Sequence, residues 1–239
     1  MLKRIFCNFK KIDFTIWIVS CLIIIVAFAL SKFKNVLSFI GSIIGVTSLI
    51  FNAKGNVVGQ FLSVGFAIFY GIVSATFKYW GETITYLCMS LPVDVVAVIS
   101  WLKHPYSKQE VKVEPLNLKK LLFAVFSAII VTTIMYFVLK KFNTPNLLFS
   151  TVSVITSWFA VVFVVMRSSY YAVAYGLNDI VLIILWGLAS VKDKGYLPMV
   201  ACFITFLLND VYGFINWCKM EKRQNKKTNL SYTREAEKT

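Results

Sequence analysis

Acidic residues are scarce in this chain: 11 of 239. A soluble domain carries roughly 25% of its residues as charges, whereas only 15% are charged here and 58% are hydrophobic. An ordinary soluble fold is excluded. Histidine is scarcer still, with His104 alone, which removes histidine-based acid–base chemistry and histidine metal sites. Cys7, Cys21, Cys88, Cys202 and Cys218 form no CxxC pair and no metal-ligand spacing; they read as small apolar filler. There is no glycine-rich phosphate loop and no pair of carboxylates on a soluble face. The chain reads as a non-enzyme that asks for no cofactor.

What is present is apolar length. Eight runs, near residues 14–31, 36–53, 56–77, 81–102, 119–140, 147–166, 170–190 and 196–218, each approach the ~20 residues needed to cross a bilayer as a helix. Lipid offers no partner for bare backbone groups, so all eight must be helical. The fold class is all-α integral membrane. The first run is followed by "SKFKN" and not by a small-residue cleavage site, so it reads as a retained helix.

The formal charge of +14 does not imply nucleic acid, because the cations sit between the apolar runs. With eight spans, all but seven of the 25 Lys and Arg residues fall on the N-terminal side; the exceptions are Lys32, Lys34, Lys78, Lys140, Lys141, Lys192 and Lys194. That asymmetry predicts a multi-pass plasma-membrane protein with both termini cytoplasmic. The polar tail, residues 220–239, is expected to be disordered.

"FLLNDVYGFINW" (206–217) places Asn209 and Asp210 side by side in an apolar run, where a carboxylate costs about 2.5–3.5 kcal/mol or more. The stretch has a counterpart, "SLPVDVVAVISW" (90–101). A shift of 116 positions brings Asp94 onto Asp210, Trp101 onto Trp217, Tyr70 onto Trp186 and Ser63 onto Asp179. Residues 36–103 and 146–219 therefore read as two three-helix repeats of one orientation. They follow an N-terminal segment and first helix (1–35), and a loop and linker helix (104–145) joins them. Parallel repeats of this kind occur in secondary transporters, with the solute site near midplane between them. In each repeat a polar residue precedes an aromatic by two turns on one helix face, as Asp94/Trp101 and Asp179/Trp186 do, some ~10 Å apart. Trp101 and Trp217, each followed by charge, read as anchors at the membrane interface. Pro92 and Pro198 are candidate kinks.

The buried-polar candidates are Asp94, Asn178, Asp179, Asn209 and Asp210, which either bond helix to helix or grip a polar solute. Trp158, Tyr175, Trp186 and Tyr212 lie near them and can sandwich a flat ring.

"YGLNDIVLIILW" (175–186) and "FLLNDVYGFINWCKM" (206–220), with "GNVVGQFLSVGFAIFYG" (55–71) and "YWGETITYLCMSLPVDVVAVISW" (79–101), resemble the PnuC family of vitamin-precursor transporters over roughly 36–220. The resemblance implies a SWEET-like pair of three-helix bundles. It implies uptake of nicotinamide riboside by facilitated diffusion, with trapping by cytoplasmic phosphorylation, and association as a homo-oligomer such as a trimer. Family members often carry Asn or Gln where this chain has Tyr86, and tryptophans where it has Tyr171 and Ala174. In this reading Asn178 and Asn209 bond ribose hydroxyls, Asp179 and Asp210 serve as acceptors or counter-charges, and Trp186 and Trp158 stack on the ring. Gln60, Tyr86, Asp94 and Tyr212 complete the expected site. The alternatives are another vitamin or nucleoside (thiamine, riboflavin, a deoxynucleoside) and proton-coupled transport.

Overall fold

The computed structural model describes residues 9–32 and 36–236, with side chains as far as Lys227. Eight helices among the described residues are long and apolar enough to cross a membrane. They are α1 (Lys11–Leu30), α2 (Val36–Ala53), α3 (Val57–Thr76), α4 (Trp80–Lys103), α5 (Leu118–Lys141), α6 (Leu147–Val165), α7 (Tyr171–Lys192) and α8 (Leu197–Ala236). A hairpin of β1 (Pro105–Ser107) and β2 (Glu110–Val111) precedes α5. The "SKFKN" junction falls partly on residues 33–35, which lie outside the described residues.

Helices α2, α3 and α4 pack together, as do α6, α7 and α8, and the two trios meet where α2 lies against α8 and α4 against α6. Helix α5 packs chiefly on α6 and leaves Leu122, Phe126 and Phe137 exposed, the surface expected of a helix against lipid. Helix α1 packs on α2 and α8 together, so it straddles the junction between the trios.

The turns that open each trio are built alike. Helix α2 ends as Gly55 N–H bonds the Asn52 carbonyl at 2.9 Å and Asn56 N–H bonds the Phe51 carbonyl at 3.0 Å. Helix α6 ends as Arg167 N–H bonds Val164 at 2.9 Å and Ser168 N–H bonds Phe163 at 3.0 Å. Gly55 and Arg167 both adopt positive φ, +65° and +57°, as the left-handed residue that closes a helix does. The Asn56 side chain then caps α3 by accepting from Val58 N–H at 3.0 Å.

Across the junction, residues at the sequence repeat interval touch. Trp186 Nε1 donates to the Tyr70 hydroxyl at 2.8 Å, across 116 positions. Trp101 and Trp217 have the same spacing, and their ring centroids lie 5.4 Å apart. Each of these two indoles also donates to the last turn of the opposite trio: Trp101 Nε1 to the Val164 carbonyl at 3.0 Å, and Trp217 Nε1 to the Asn52 carbonyl at 2.8 Å. Equivalent residues meet each other only near an axis that relates the two trios.

The segment after α4 ties this end shut. Val111 N–H bonds the Gly55 carbonyl and Glu114 N–H the Arg167 carbonyl, at 2.9 and 3.0 Å, so one short stretch joins the two matching turns. Gln224 of α8 accepts from Val113 N–H and donates to the Val111 carbonyl. Burial alone would raise the Glu114 carboxyl, but Lys120, Arg167 and Lys112 outweigh it and hold the group below the usual carboxylate range.

Three sequence expectations are corrected here. Trp101 and Trp217 are 2% and 0% exposed; they sit in the junction and not at the lipid headgroups, because their N–H groups bond the facing helix ends. Pro198 lies in the first turn of α8, where its missing N–H disturbs nothing and causes no kink. Pro92 does act: it cannot donate to the preceding turn, and α4 widens to a π-helix over Thr85–Ser90 just before it. The third correction is the tail as far as residue 236; its last residues, 237–239, lie outside the described residues. Helix α8 continues to Ala236, and its docking on the hairpin through Gln224 gives that extension tertiary support.

Close approach limits what α3 tolerates. A Cβ at Gly59 would lie 2.2 Å from Asn52 Oδ1 and 2.6 Å from the Asn52 backbone nitrogen. Gly59→Val is therefore expected to lower stability by about 1–3 kcal/mol, read as a reduced unfolding temperature of the purified protein.

Candidate functional site

A cavity lies between the trios, with walls from α2, α3, α4, α6, α7 and α8. Its polar lining includes Asn52 from α2, Ser63 from α3, Asp94 from α4, and Asn178, Asp179 and Asp210 from α7 and α8. Phe66, Phe203, Phe206, Tyr86 and Tyr175 supply rings. Among the described residues, no Lys or Arg lines it. Tyr86 and Ser90 reach it from the π-helical stretch of α4, a distortion that often marks functional positions.

The three carboxyls are all buried, and Asp179 and Asp210 line the cavity from neighbouring helices. Asp94 Oδ1, Asp179 Oδ2 and Asp210 Oδ2 meet no N–H or hydroxyl donor. Buried acceptors without donors are costly, and here they converge from both trios. The cavity measures about 40 Å³. That volume admits one or two waters and falls far short of the roughly 300–1,000 Å³ of small-molecule pockets. The trios are closed around the site.

Asn178 is committed to the bundle. Its Oδ1 lies within hydrogen-bonding distance of Ser153, Thr156 and Ser157, at 3.2, 2.9 and 3.0 Å. Asn52 anchors the other trio: Gln60 Nε2 donates to its Oδ1 at 2.9 Å and its Nδ2 donates to Ser63 Oγ at 3.0 Å. Gln60 thus stands one layer behind the cavity wall.

Of the residues expected at the site, Tyr86, Asp94, Asn178, Asp179 and Asp210 are brought together. The others are placed elsewhere. Trp186 is 0% exposed, boxed by Tyr79 and Tyr196 with centroids at 4.8 and 5.6 Å. It reaches the cavity only through Tyr70, whose ring lies 4.1 Å from that of Tyr86. Trp158 donates to Ser127 Oγ at 2.9 Å and so fastens the linker helix α5. Asn209 donates to Ser20 Oγ at 2.9 Å, and Tyr212 bonds Asp13. Both therefore hold α1, as does the Lys54–Asp13 ion pair at 3.2 Å. Asn209 faces away from the cavity because it adjoins Asp210 and so points some 100° off that face of the helix.

Sequence reasoning missed three groups. Asn52 and Ser63 line the wall; Asn52, close before Lys54, reads from sequence as the edge of a loop. Glu82, at the start of the run 81–102, is 0% exposed and accepts from the Tyr70 hydroxyl at 3.4 Å. A polar residue within one turn of an aromatic on the same face was the available signal, and it is weak.

The family model described as nicotinamide mononucleotide transporter matches residues 35–219. The chain belongs to that family. A curated relative, the nicotinamide riboside transporter PnuC of Neisseria mucosa, is 27% identical over 195 residues, covering 79% of this chain and 74% of its own length. A solved structure, titled as the crystal structure of the vitamin B3 transporter PnuC, superposes with a TM-score of 0.79 at 25% identity, over 91% of this chain and 94% of that one. The family model begins at the edge of α2, so α1, with its clamps to Tyr212, Asn209 and Lys54, lies outside the part that defines the nicotinamide mononucleotide transporter family.

Tyr70→Phe removes the acceptor of the Trp186 N–H and the donor to Glu82 together. It is expected to cost about 1–3 kcal/mol, seen as a lower unfolding temperature, with Tyr86→Phe costing less.

Proposed function

We propose that this protein carries nicotinamide riboside across the plasma membrane by facilitated diffusion. The observation that carries the reading is the cavity on the junction: three buried carboxyls from both trios, five aromatic rings, and no lining cation among the described residues. Such a site attracts a flat cation bearing hydroxyl groups. A pyridinium against Tyr86 or Tyr175 gains about 1–2 kcal/mol of cation–π attraction once desolvated. Asp94 and the Asp179–Asp210 pair supply counter-charge and hydroxyl acceptors, and Ser63 and Asn52 add polar contacts. The relatives named for this riboside and this vitamin support the same choice.

The closed cavity must widen to admit a nucleoside. Rocking of the trios about the indole pair, as two parallel repeats, opens it to one side and then the other. Opening at the Lys- and Arg-rich end requires release of the 111–114 stretch from Gly55 and Arg167. The excess of cations at that end supports cytoplasmic termini; trapping by phosphorylation inside makes passive flow one-way. Association as a homo-oligomer belongs to the same reading. A second reading, proton-coupled uptake, is favoured by the three buried carboxyls gathered on the cavity; a flux that follows an imposed pH gradient distinguishes it.

In calorimetry on the purified protein, Asp94→Asn and Asp210→Asn are each expected to weaken nicotinamide riboside binding at least tenfold, about 1.4 kcal/mol, and to weaken a neutral nucleoside less. Wild-type affinity in both variants rules out the site assignment.

A further inference from the structure

A second concavity lies at the Lys- and Arg-rich end, away from the transport cavity, with a volume of about 440 Å³. Its charge has the opposite sign. Lys10 before α1, Lys54 after α2, and Lys219, Arg223 and Lys227 of α8 all line it. The three α8 cations recur every four residues, so they form one stripe facing the cleft. Ser107 and Tyr106 of the hairpin add hydroxyl groups on the other wall.

The acids present do not balance these charges. Asp13 is paired with Lys54 at 3.2 Å, and Glu110 with Arg223. Among the described residues, Lys10, Lys219 and Lys227 have no acidic partner. Like charges one turn apart repel. Orientation in the membrane asks for cations at this end, but it does not ask that they converge from three separate stretches of chain on one concave surface. An external anion removes the repulsion.

The cleft is too large for an inorganic anion alone and lies in the range of small-molecule sites. At about 1.5 Å per residue, Lys219 and Lys227 stand roughly 33 and 45 Å from the start of α8. They therefore lie beyond a ~30 Å hydrocarbon core, from headgroup level outward into water. We propose that this cleft binds a phosphate ester, with Lys219, Lys227 and Lys10 gripping the phosphate oxygens and the Arg223–Glu110 pair setting one wall. The same chemistry is carried by a soluble sugar phosphate and by the headgroup of an anionic phospholipid.

The test uses the full chain in phosphatidylcholine nanodiscs. Ribose 5-phosphate is titrated by calorimetry with ribose as the uncharged control, and thermal unfolding is compared in discs with and without phosphatidylglycerol. Saturable binding of ribose 5-phosphate but not ribose, weakened about tenfold or more in Lys219→Gln/Lys227→Gln and kept in Lys219→Arg/Lys227→Arg, supports the site with a soluble ligand. A rise in unfolding temperature with phosphatidylglycerol that the Gln variant loses and the Arg variant keeps supports it with a lipid ligand. Neither response, or equal responses in wild type and Gln variant, overturns it. Riboside binding is measured in parallel, so loss of the transport site registers separately.

Discussion

Every polar group inside hydrocarbon has to find its partner within the protein, because the solvent there offers none. This constraint arranges the structure. Hydroxyls of α6 gather on Asn178 and the amide of Gln60 on Asn52. The indoles of Trp101 and Trp217 close on carbonyls at the facing helix ends. At the junction of the trios, three carboxyls keep oxygens without donors. A site that awaits a solute is what pairing leaves over.

The same junction governs motion. The junction between the trios is apolar as well as polar: Phe66 and Phe206 meet across it with ring centroids 5.1 Å apart, and indole bonds flank that packing. Tyr70–Trp186 sits toward one end and Trp101–Trp217 toward the other, with the cavity lying among the elements between them. A rigid trio can tilt about such a seam without repacking its own interior, since close-packed cores deform poorly. Helix α1 complicates this picture. Asp13 bonds Tyr212 of one trio and pairs with Lys54 of the other, and Asn209 reaches Ser20. It acts as a brace across the very seam that has to open, and it does so outside the segment that the family model covers.

Local chemistry explains why some expected site residues stand elsewhere. Asn209 and Asp210 are adjacent, so they point about 100° apart on a helix; one meets the cavity and the other meets α1. Asn178 and Asp179 share the cavity wall, but the amide oxygen of Asn178 is already surrounded by hydroxyls. Trp186 was legible as a partner of Tyr70 in the repeat, and the two residues do touch. Their contact with each other keeps Trp186 off the wall, where Tyr86 is among the rings that line the cavity.

Hydropathy and composition alone determined the number and rough limits of the helices, because a ~30 Å apolar layer demands runs of about 20 residues whatever they pack against. The recurrence of Asp and Trp at one interval raised the expectation of two related trios, and the contacts of Tyr70 with Trp186 and of Trp101 with Trp217 are compatible with it. Only the tertiary structure decided which of the buried polar residues line the cavity, because that depends on helix rotation and on which hydroxyls on neighbouring helices arrive first. It also decided that Trp101 and Trp217 lie in the seam, that Glu82 is buried, and that α8 runs on past the membrane to meet the hairpin. Those outcomes rest on pairings between residues far apart in the chain, and an apolar run carries no record of its partners.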